Sequence, residues 1–289
     1  MKNSHKPYEI LGVTTNNIKS LKKYVPIYKK YGVLVFRNFF NGDKFFDEFY
    51  KDIKDLVKAI IKENNLKIDS KLDLNELITE VSKTNRKDVG YLYDLGTRPL
   101  KLISGINLKT HPMIVKIIKS LMKNKSILAS PYLGETLHIF PPGKENFKHN
   151  LPMHQDYPYI MQSPEQITSY INLGKLQPQG NGGIKVWLES HKEGVTNIKK
   201  TKNGLISTKD NKHFIKKYNS ENFYFDKGDF AVFNSLLHHM GVQNYSGCTR
   251  IVQLIRYSNL LDKKSISYRW RSNEGEKKDS IKLNNVHHF

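Results

Sequence analysis

Two residues with metal-binding side chains stand two positions apart in LPMHQDYPY, residues 151–159: His154 and Asp156. In an extended strand, positions i and i+2 leave the same face, so an imidazole nitrogen and a carboxylate oxygen can reach one ion from adjacent directions. A second histidine from a neighbouring strand would complete a two-histidine, one-carboxylate set. Such a set leaves one side of an octahedral ion open and suits non-haem Fe(II) oxygen chemistry. By itself a His-x-Asp pair is weak evidence in a chain with 11 histidines, and its bland reading is a solvated strand face. The third donor must come from elsewhere. The segment GDFAVFNSLLHHMGVQNYSGCTR, residues 228–250, offers His238 and His239 just past the strand-like run FAVF. If the chain is extended there, the two point opposite ways and a single one of them faces inward. Arg250 opens the next β-rich run, TRIVQLIRY, among the apolar residues Ile251, Val252, Leu254 and Ile255. A guanidinium buried there needs an anionic partner, and no protein carboxylate is near in sequence. A small dicarboxylate cosubstrate would serve, because the planar fork binds a carboxylate through two hydrogen bonds.

These residues need elements to position them. The segment Ile18–Tyr31 reads as a Lys-rich helix interrupted at Pro26 and stopped by Gly32, with GVLVFRNFF following as a β-rich run. A long helix follows, capped by Asn41 or Asp43, with Phe45, Phe46, Phe49, Ile53, Leu56, Val57 and Ile60 at three-to-four spacing. Further helices are expected around Leu72–Lys83 and from His111-Pro112 onward, carrying Ile114, Val115, Ile118 and Leu121. From about residue 126 to 260 the character changes to short β-like runs between Gly, Pro and Asn turns: TLHIFPPG, QITSYINLG, GGIKVWL, NFYFDKGDFAVF and TRIVQLIRY. That pattern predicts an α+β protein: an antiparallel sandwich or barrel of the jelly-roll kind, buttressed by the helices that precede it. The partition expected is one domain, with N-terminal support over 1–125, a β core over about 126–260 and a polar extension over 261–289.

Composition bounds the rest. The chain has 289 residues and a net charge of +20, but of its 47 basic residues only 7 are arginines. Lysine is a hydrated point charge rather than the bidentate reader of phosphates and bases. No helix-turn-helix, zinc-finger or RNP pattern is present, so no specific nucleic-acid partner is expected, while the basic balance favours an anionic substrate. No apolar run reaches the ~18 residues of a membrane span. The N-terminus MKNSHKPYEI has no apolar stretch of the secretory type. One cysteine, Cys248, excludes an internal disulfide, and the expected location is cytoplasmic.

Taken together, three segments resemble the phytanoyl-CoA dioxygenase family of Fe(II)- and 2-oxoglutarate-dependent oxygenases over roughly residues 130–260. LPMHQDYPY resembles its HQD segment, NGGIKVWLESHKEG (residues 181–194) its NGxLxVxPGSHxxG stretch, and GDFAVFNSLLHHMGVQNYSGCTR its distal histidine stretch. The resemblance implies a double-stranded β-helix with His154, Asp156 and His239 as catalytic iron ligands, leaving His238 as a neighbour. It also implies Arg250, eleven positions after His239, as the anchor of the 2-oxoglutarate C5 carboxylate. The implied cofactors are Fe(II), 2-oxoglutarate as cosubstrate and O2. The implied reaction is hydroxylation of a C–H bond of a small molecule, with release of succinate and CO2. A related halogenase would have a small residue in place of Asp156 to leave room for halide, so the carboxylate argues for hydroxylation, or for a related desaturation or ring closure, over halogenation. Two departures stand out: the family's PGSH is Leu188-Glu189-Ser190-His191 here, and the small hydroxyl residue two after the distal histidine is Gly241. Candidate substrate contacts are Gln155, His138 and Tyr157, and His138 and Phe140 share a strand face. Two other classes stay open: a non-catalytic jelly roll that binds metal and 2-oxoglutarate, and a polyanion-binding protein.

Overall fold

The structure is a computed structural model that describes residues 6–84, 102–122, 128–129, 135–142, 151–160, 163–176, 182–201, 205–267 and 269. A short strand β1 (Glu9–Ile10) leads to helix α1 (Tyr24–Tyr31), strand β2 (Val33–Phe36), and helices α2 (Lys44–Glu63), α3 (Leu74–Thr84), α4 (Ile103–Lys109) and α5 (Pro112–Leu121). Strands β3 (Leu128–Ala129) and β4 (Glu135–Phe140) follow, then a single helical turn α6 (Tyr157–Ile160) and strands β5 (Gln166–Asn172), β6 (Gly183–Trp187), β7 (Ile198–Lys200) and β8 (Ile206–Thr208). Helix α7 (Asn211–Lys217) precedes β9 (Ser220–Phe223), β10 (Phe230–Asn234), β11 (His239–Val242), β12 (Arg250–Asn259) and the short helix α8 (Lys263–Ser267).

Two sheets carry the site. The larger runs β1-β2-β10-β5-β12-β3, with β4 also paired to β12, and the smaller runs β11-β6-β9. Apart from the parallel β1–β2 pair, the ladders within both are antiparallel. Alternation along each strand separates two apolar layers. Leu34, Phe36, Val232, Ile171, Ile251 and Ile255 face the helices and pack with Phe46, Phe49, Ile53, Leu77, Ile114 and Ile118. Val33, Val35, Tyr170, Phe233 and Val252 face the small sheet and meet its Ile184, Val186 and Phe223. The helices thus cover one face of the large sheet, and the other face, against the small sheet, is left to build a site.

The helix boundaries follow from capping. Asp43 accepts a hydrogen bond from Phe46 N at 3.0 Å and starts α2. His111 Nδ1 accepts from Met113 N and starts α5, while its Nε2 lies 2.9 Å from Asp43 Oδ2, so one buried pair secures two helix starts. Two expectations are corrected. The first helix begins at Tyr24, not Ile18, and Pro26 does not interrupt it. Proline belongs in a first turn because its missing N–H would have no intrahelical partner there. Gly32 ends the helix as expected, at φ 79°, where a β-carbon would lie 2.6 Å from His191 Nδ1. Strand β2, placed by sequence in an N-terminal support, is instead a member of the core sheet, hydrogen-bonded to β10 along its length.

Candidate metal and cosubstrate site

His154, Asp156 and His239 are all buried, and one donor atom from each lies within 4.8 Å of the others. His154 and Asp156 do not sit on a regular strand as expected. His154 makes one isolated bridge to His239, and Asp156 lies in the bend before α6. The bridge does the work of the strand: His154 N donates to His239 O at 2.9 Å and His239 N donates to His154 O at 3.0 Å. The backbone thereby clamps the two histidines side by side, with ring centroids 4.2 Å apart.

The hydrogen bonds fix both imidazole tautomers. His154 Nδ1 lies 2.7 Å from Pro152 O and His239 Nδ1 lies 2.9 Å from Leu237 O. A carbonyl can only accept, so both Nδ1 atoms carry the proton and both Nε2 lone pairs point free. Those Nε2 atoms stand 3.7 and 3.8 Å from Asp156 Oδ1. Two donors that each bind one ion at roughly 2.1 Å are at most about 4.2 Å apart, so these separations suit a shared ion. Burial, then the neighbouring His154, holds the His239 imidazole down to about 4, which keeps it neutral as a ligand must be.

Asp156 is held from behind. Thr168 Oγ1 donates to its Oδ2 at 2.5 Å, and Arg256 donates to both oxygens, Nε to Oδ2 at 3.2 Å and Nη2 to Oδ1 at 3.1 Å. Thr168 and Arg256 are register partners on β5 and β12, so one rung of the large sheet presents both. Burial opposes ionisation of Asp156, but Arg256 and the imidazoles outweigh it and keep the carboxyl well below its usual range. With Oδ2 engaged twice, Oδ1 is the oxygen left to turn toward an ion.

Arg250 lies at the opposite end of the same strand face, 2 % exposed. Its Nη1 donates to Gly183 O at 2.5 Å and its guanidinium carbon sits 3.9 Å from the centre of the Phe140 ring, but its Nε has no acceptor among the described residues. No carboxylate pairs with it there. A guanidinium does not lose its proton, so among the described residues this is a buried cation without an anion. Gly182 makes room for it: at φ 76°, a β-carbon on Gly182 would lie 3.2 Å from Arg250 Nη1 and 2.8 Å from Val242 O. The Tyr170 hydroxyl, also buried and without a partner among the described residues, faces the same space. The cavity joining these groups has a volume of about 70 Å³, with His138 and Phe140 on its wall.

The remaining expectations divide. His138 lines the cavity, stacked on Phe140 at 5.4 Å. Gln155 does not line it. Its amide nitrogen donates to Gly194 O and Leu236 O, and its oxygen accepts from Thr196 N and Oγ1, so it ties three segments together behind the site. Tyr157 is buried in α6 and is not on the cavity wall either. Of the two adjacent histidines, His239 faces the cavity, while His238 stacks on Phe214 at 3.8 Å and bonds Thr196 Oγ1. Thr168, Tyr170 and Arg256 were missed, although strand alternation carries the signal. Arg250, Val252, Leu254 and Arg256 are even steps along β12, so an inward Arg250 implies an inward Arg256.

The family model for phytanoyl-CoA dioxygenase (PhyH) matches residues 28–252, a span that holds the three metal-binding residues and Arg250. The chain belongs to that family. The PhyH family uses Fe(II), 2-oxoglutarate and O2, and the donor set here fits such an ion: two imidazoles and one carboxylate, all buried. Among solved structures, the non-heme alpha ketoglutarate dependent epimerase SnoN from nogalamycin biosynthesis matches with a TM-score of 0.54 at 12% identity, covering 86% of this chain and 87% of that one. The carbocyclase SnoK from the same biosynthesis matches at 0.52 and 14%, covering 85% of each chain. The non-heme monooxygenase ThoJ matches at 0.53 and 14%, covering 84% of this chain and 78% of its own. These likenesses are of fold. No curated protein matches the chain in sequence.

Proposed function

We propose that this protein is an Fe(II)- and 2-oxoglutarate-dependent dioxygenase that hydroxylates an unactivated C–H bond of a small molecule, with succinate and CO2 as the products of the cosubstrate. The observation that carries the reading is one cavity holding both a two-imidazole, one-carboxylate donor set and, apart from it, a buried arginine without an anion among the described residues. His154, Asp156 and His239 would hold the iron. The iron supplies O2 activation when bound. The rest is done by the protein. Arg256 and Thr168 keep Asp156 bound through one oxygen. Arg250 receives the far carboxylate of 2-oxoglutarate, with the Tyr170 hydroxyl as a second donor on the same wall. The apolar lining of Phe140, Ile184, Phe233, Val252 and Leu254 excludes water. Asp156 itself favours hydroxylation over halogenation, since its carboxylate fills the position a halide would need. We read the two facing sheets as the double-stranded β-helix expected from the sequence.

The test is anaerobic reconstitution with Fe(II), measurement of 2-oxoglutarate binding, and then detection of succinate after oxygen is admitted. His154→Ala and Asp156→Ala should each abolish succinate formation. Failure of the iron-loaded wild type to bind 2-oxoglutarate would end the reading.

A further inference from the structure

The iron cavity is too small for cosubstrate and substrate together. Its volume of about 70 Å³ is room for only a handful of water-sized spheres at roughly 10–15 Å³ each. A second cavity, of about 570 Å³, begins where the first ends, because Leu151 and Gly241 line both. That volume lies in the range of small-molecule sites, about 300–1,000 Å³. Gly241 lies on β11, the edge strand of the small sheet, so no side chain stands between the two spaces at that position.

The floor of this groove is the outer face of the small sheet. Ile184 and Val186 face inward, so Lys185 and Trp187 face out. Met240 lies opposite Lys185 in register. Met153, Leu205 and Ile215 extend the apolar wall. Ile215 is 54% exposed at the mouth, an apolar side chain left in water on a helix whose neighbouring Phe214 is buried. Lys185 is the one charged residue on the lining among the described residues, with its Nζ 5.4 Å from the centre of the Trp187 ring. Among the described residues no carboxylate shares that lining to compete for the cation.

We propose that this groove binds the body of the substrate, and that the substrate is an amphipathic anion. Its apolar portion lies on Trp187, Met240 and Ile215, its anionic group meets Lys185, and its reactive carbon passes Leu151 and Gly241 toward the iron. The assignment rests on the oxygenase reading of the inner cavity.

The experiment uses two probes with the same rings: 8-anilinonaphthalene-1-sulfonate, an anion, and N-phenyl-1-naphthylamine, which is neutral. Fluorescence titrations are run on the full chain with Zn(II) and 2-oxoglutarate present, so that the inner cavity is filled. The wild type should bind one equivalent of each probe. Ile215→Arg should weaken both by about tenfold or more, ~1.4 kcal/mol. Lys185→Glu should weaken the sulfonate by about tenfold or more and the neutral amine by less than about threefold. Absence of stoichiometric probe binding by the wild type, or wild-type binding of both probes by both variants, overturns the groove. Equal weakening of both probes by Lys185→Glu overturns the anionic class. Calorimetric titration of 2-oxoglutarate into the same metal-loaded samples separates the two ideas. A wild type that takes 2-oxoglutarate but not the probes refutes the groove alone, whereas a wild type that takes the probes but not 2-oxoglutarate refutes the oxygenase reading.

Discussion

Replacing Arg250 by methionine tests the central electrostatic argument, because it removes the cation and keeps much of the apolar stem. Arg250 is almost fully buried, its Nε has no acceptor among the described residues and its Nη1 has the Gly183 carbonyl. A carboxylate arriving there gains charge-assisted hydrogen bonds worth about 1.5–3 kcal/mol each. Part of that gain is offset by desolvating the anion, so a net contribution of about 3 kcal/mol is expected, on the order of 100-fold in affinity. Two perturbations should report the same energy. Arg250→Met should lose it for 2-oxoglutarate, and the wild type should lose it for 2-oxopentanoate, which keeps the oxo-acid end but lacks the second carboxylate. The doubly perturbed pair should lose it once rather than twice, as in a double-mutant cycle. Anaerobic calorimetry on the Fe(II)-loaded protein measures all four affinities. Thermal unfolding gives a second readout. At a 2-oxoglutarate concentration of 100 times its Kd the wild type gains ~2.7 kcal/mol, or roughly 5–10 °C, and the variant at the same concentration gains almost none. The reasoning fails if Arg250→Met binds 2-oxoglutarate within about fivefold of the wild type, or if the wild type binds the two acids alike.

Four other outcomes follow from the same structure. Arg256→Met leaves Asp156 buried with Thr168 as its remaining side-chain donor, so the metal-free protein should lose about 3 kcal/mol; Co(II) should restore part of it in a thermal-shift assay, because the ion returns the missing positive charge. His239→Ala should abolish the metal-dependent thermal shift, whereas His238→Ala should keep it and lower the melting temperature through the lost Phe214 stack and Thr196 hydrogen bond. Glu189 stands where the family's PGSH turn has glycine and holds φ at 70°, so Glu189→Gly should stabilise the fold by up to about 1 kcal/mol in denaturant titration. Burial alone would raise the Asp43 carboxyl, but hydrogen bonds from His111 and Phe46 N bring it down to about 2. A depressed carboxyl contributes stability that is fully present above its unfolded pKa near 4 and is lost as pH falls through the folded value. Acid unfolding of the wild type should therefore include a fall in stability between about pH 4 and 2 that is absent in Asp43→Ala, measured by circular dichroism.

The parts of this site that were legible in the sequence are those written in local pattern. Asp43 before a three-to-four apolar repeat gave α2 and its cap, and Arg250 at the head of an apolar strand gave a buried cation in search of an anion. The choice between His238 and His239 needed family resemblance, since two adjacent histidines carry no internal sign of which faces inward. The bridge between His154 and His239 brings His239 beside His154, and that is a contact between segments far apart in the chain. Gln155 shows why proximity to a ligand is a poor guide to role. Flanked by His154 and Asp156, it nevertheless points the other way, and its amide holds the 194–196 turn and the chain before His239 in place. Arg256 is the instructive omission. Taken singly it is an arginine near the end of a strand, and only its even spacing from Arg250 marks it as inward. Only the register of β12 against β5 puts it beside Thr168, and only the return of the His154–Asp156 segment puts a carboxylate in front of both. The same register puts Leu254 beside Tyr170, so one face of one strand carries, in order, Arg250, an apolar wall and the Arg256 that backs Asp156. An alternation argument applied to β12 as a whole, instead of to Arg250 alone, would have reached Arg256 from the sequence.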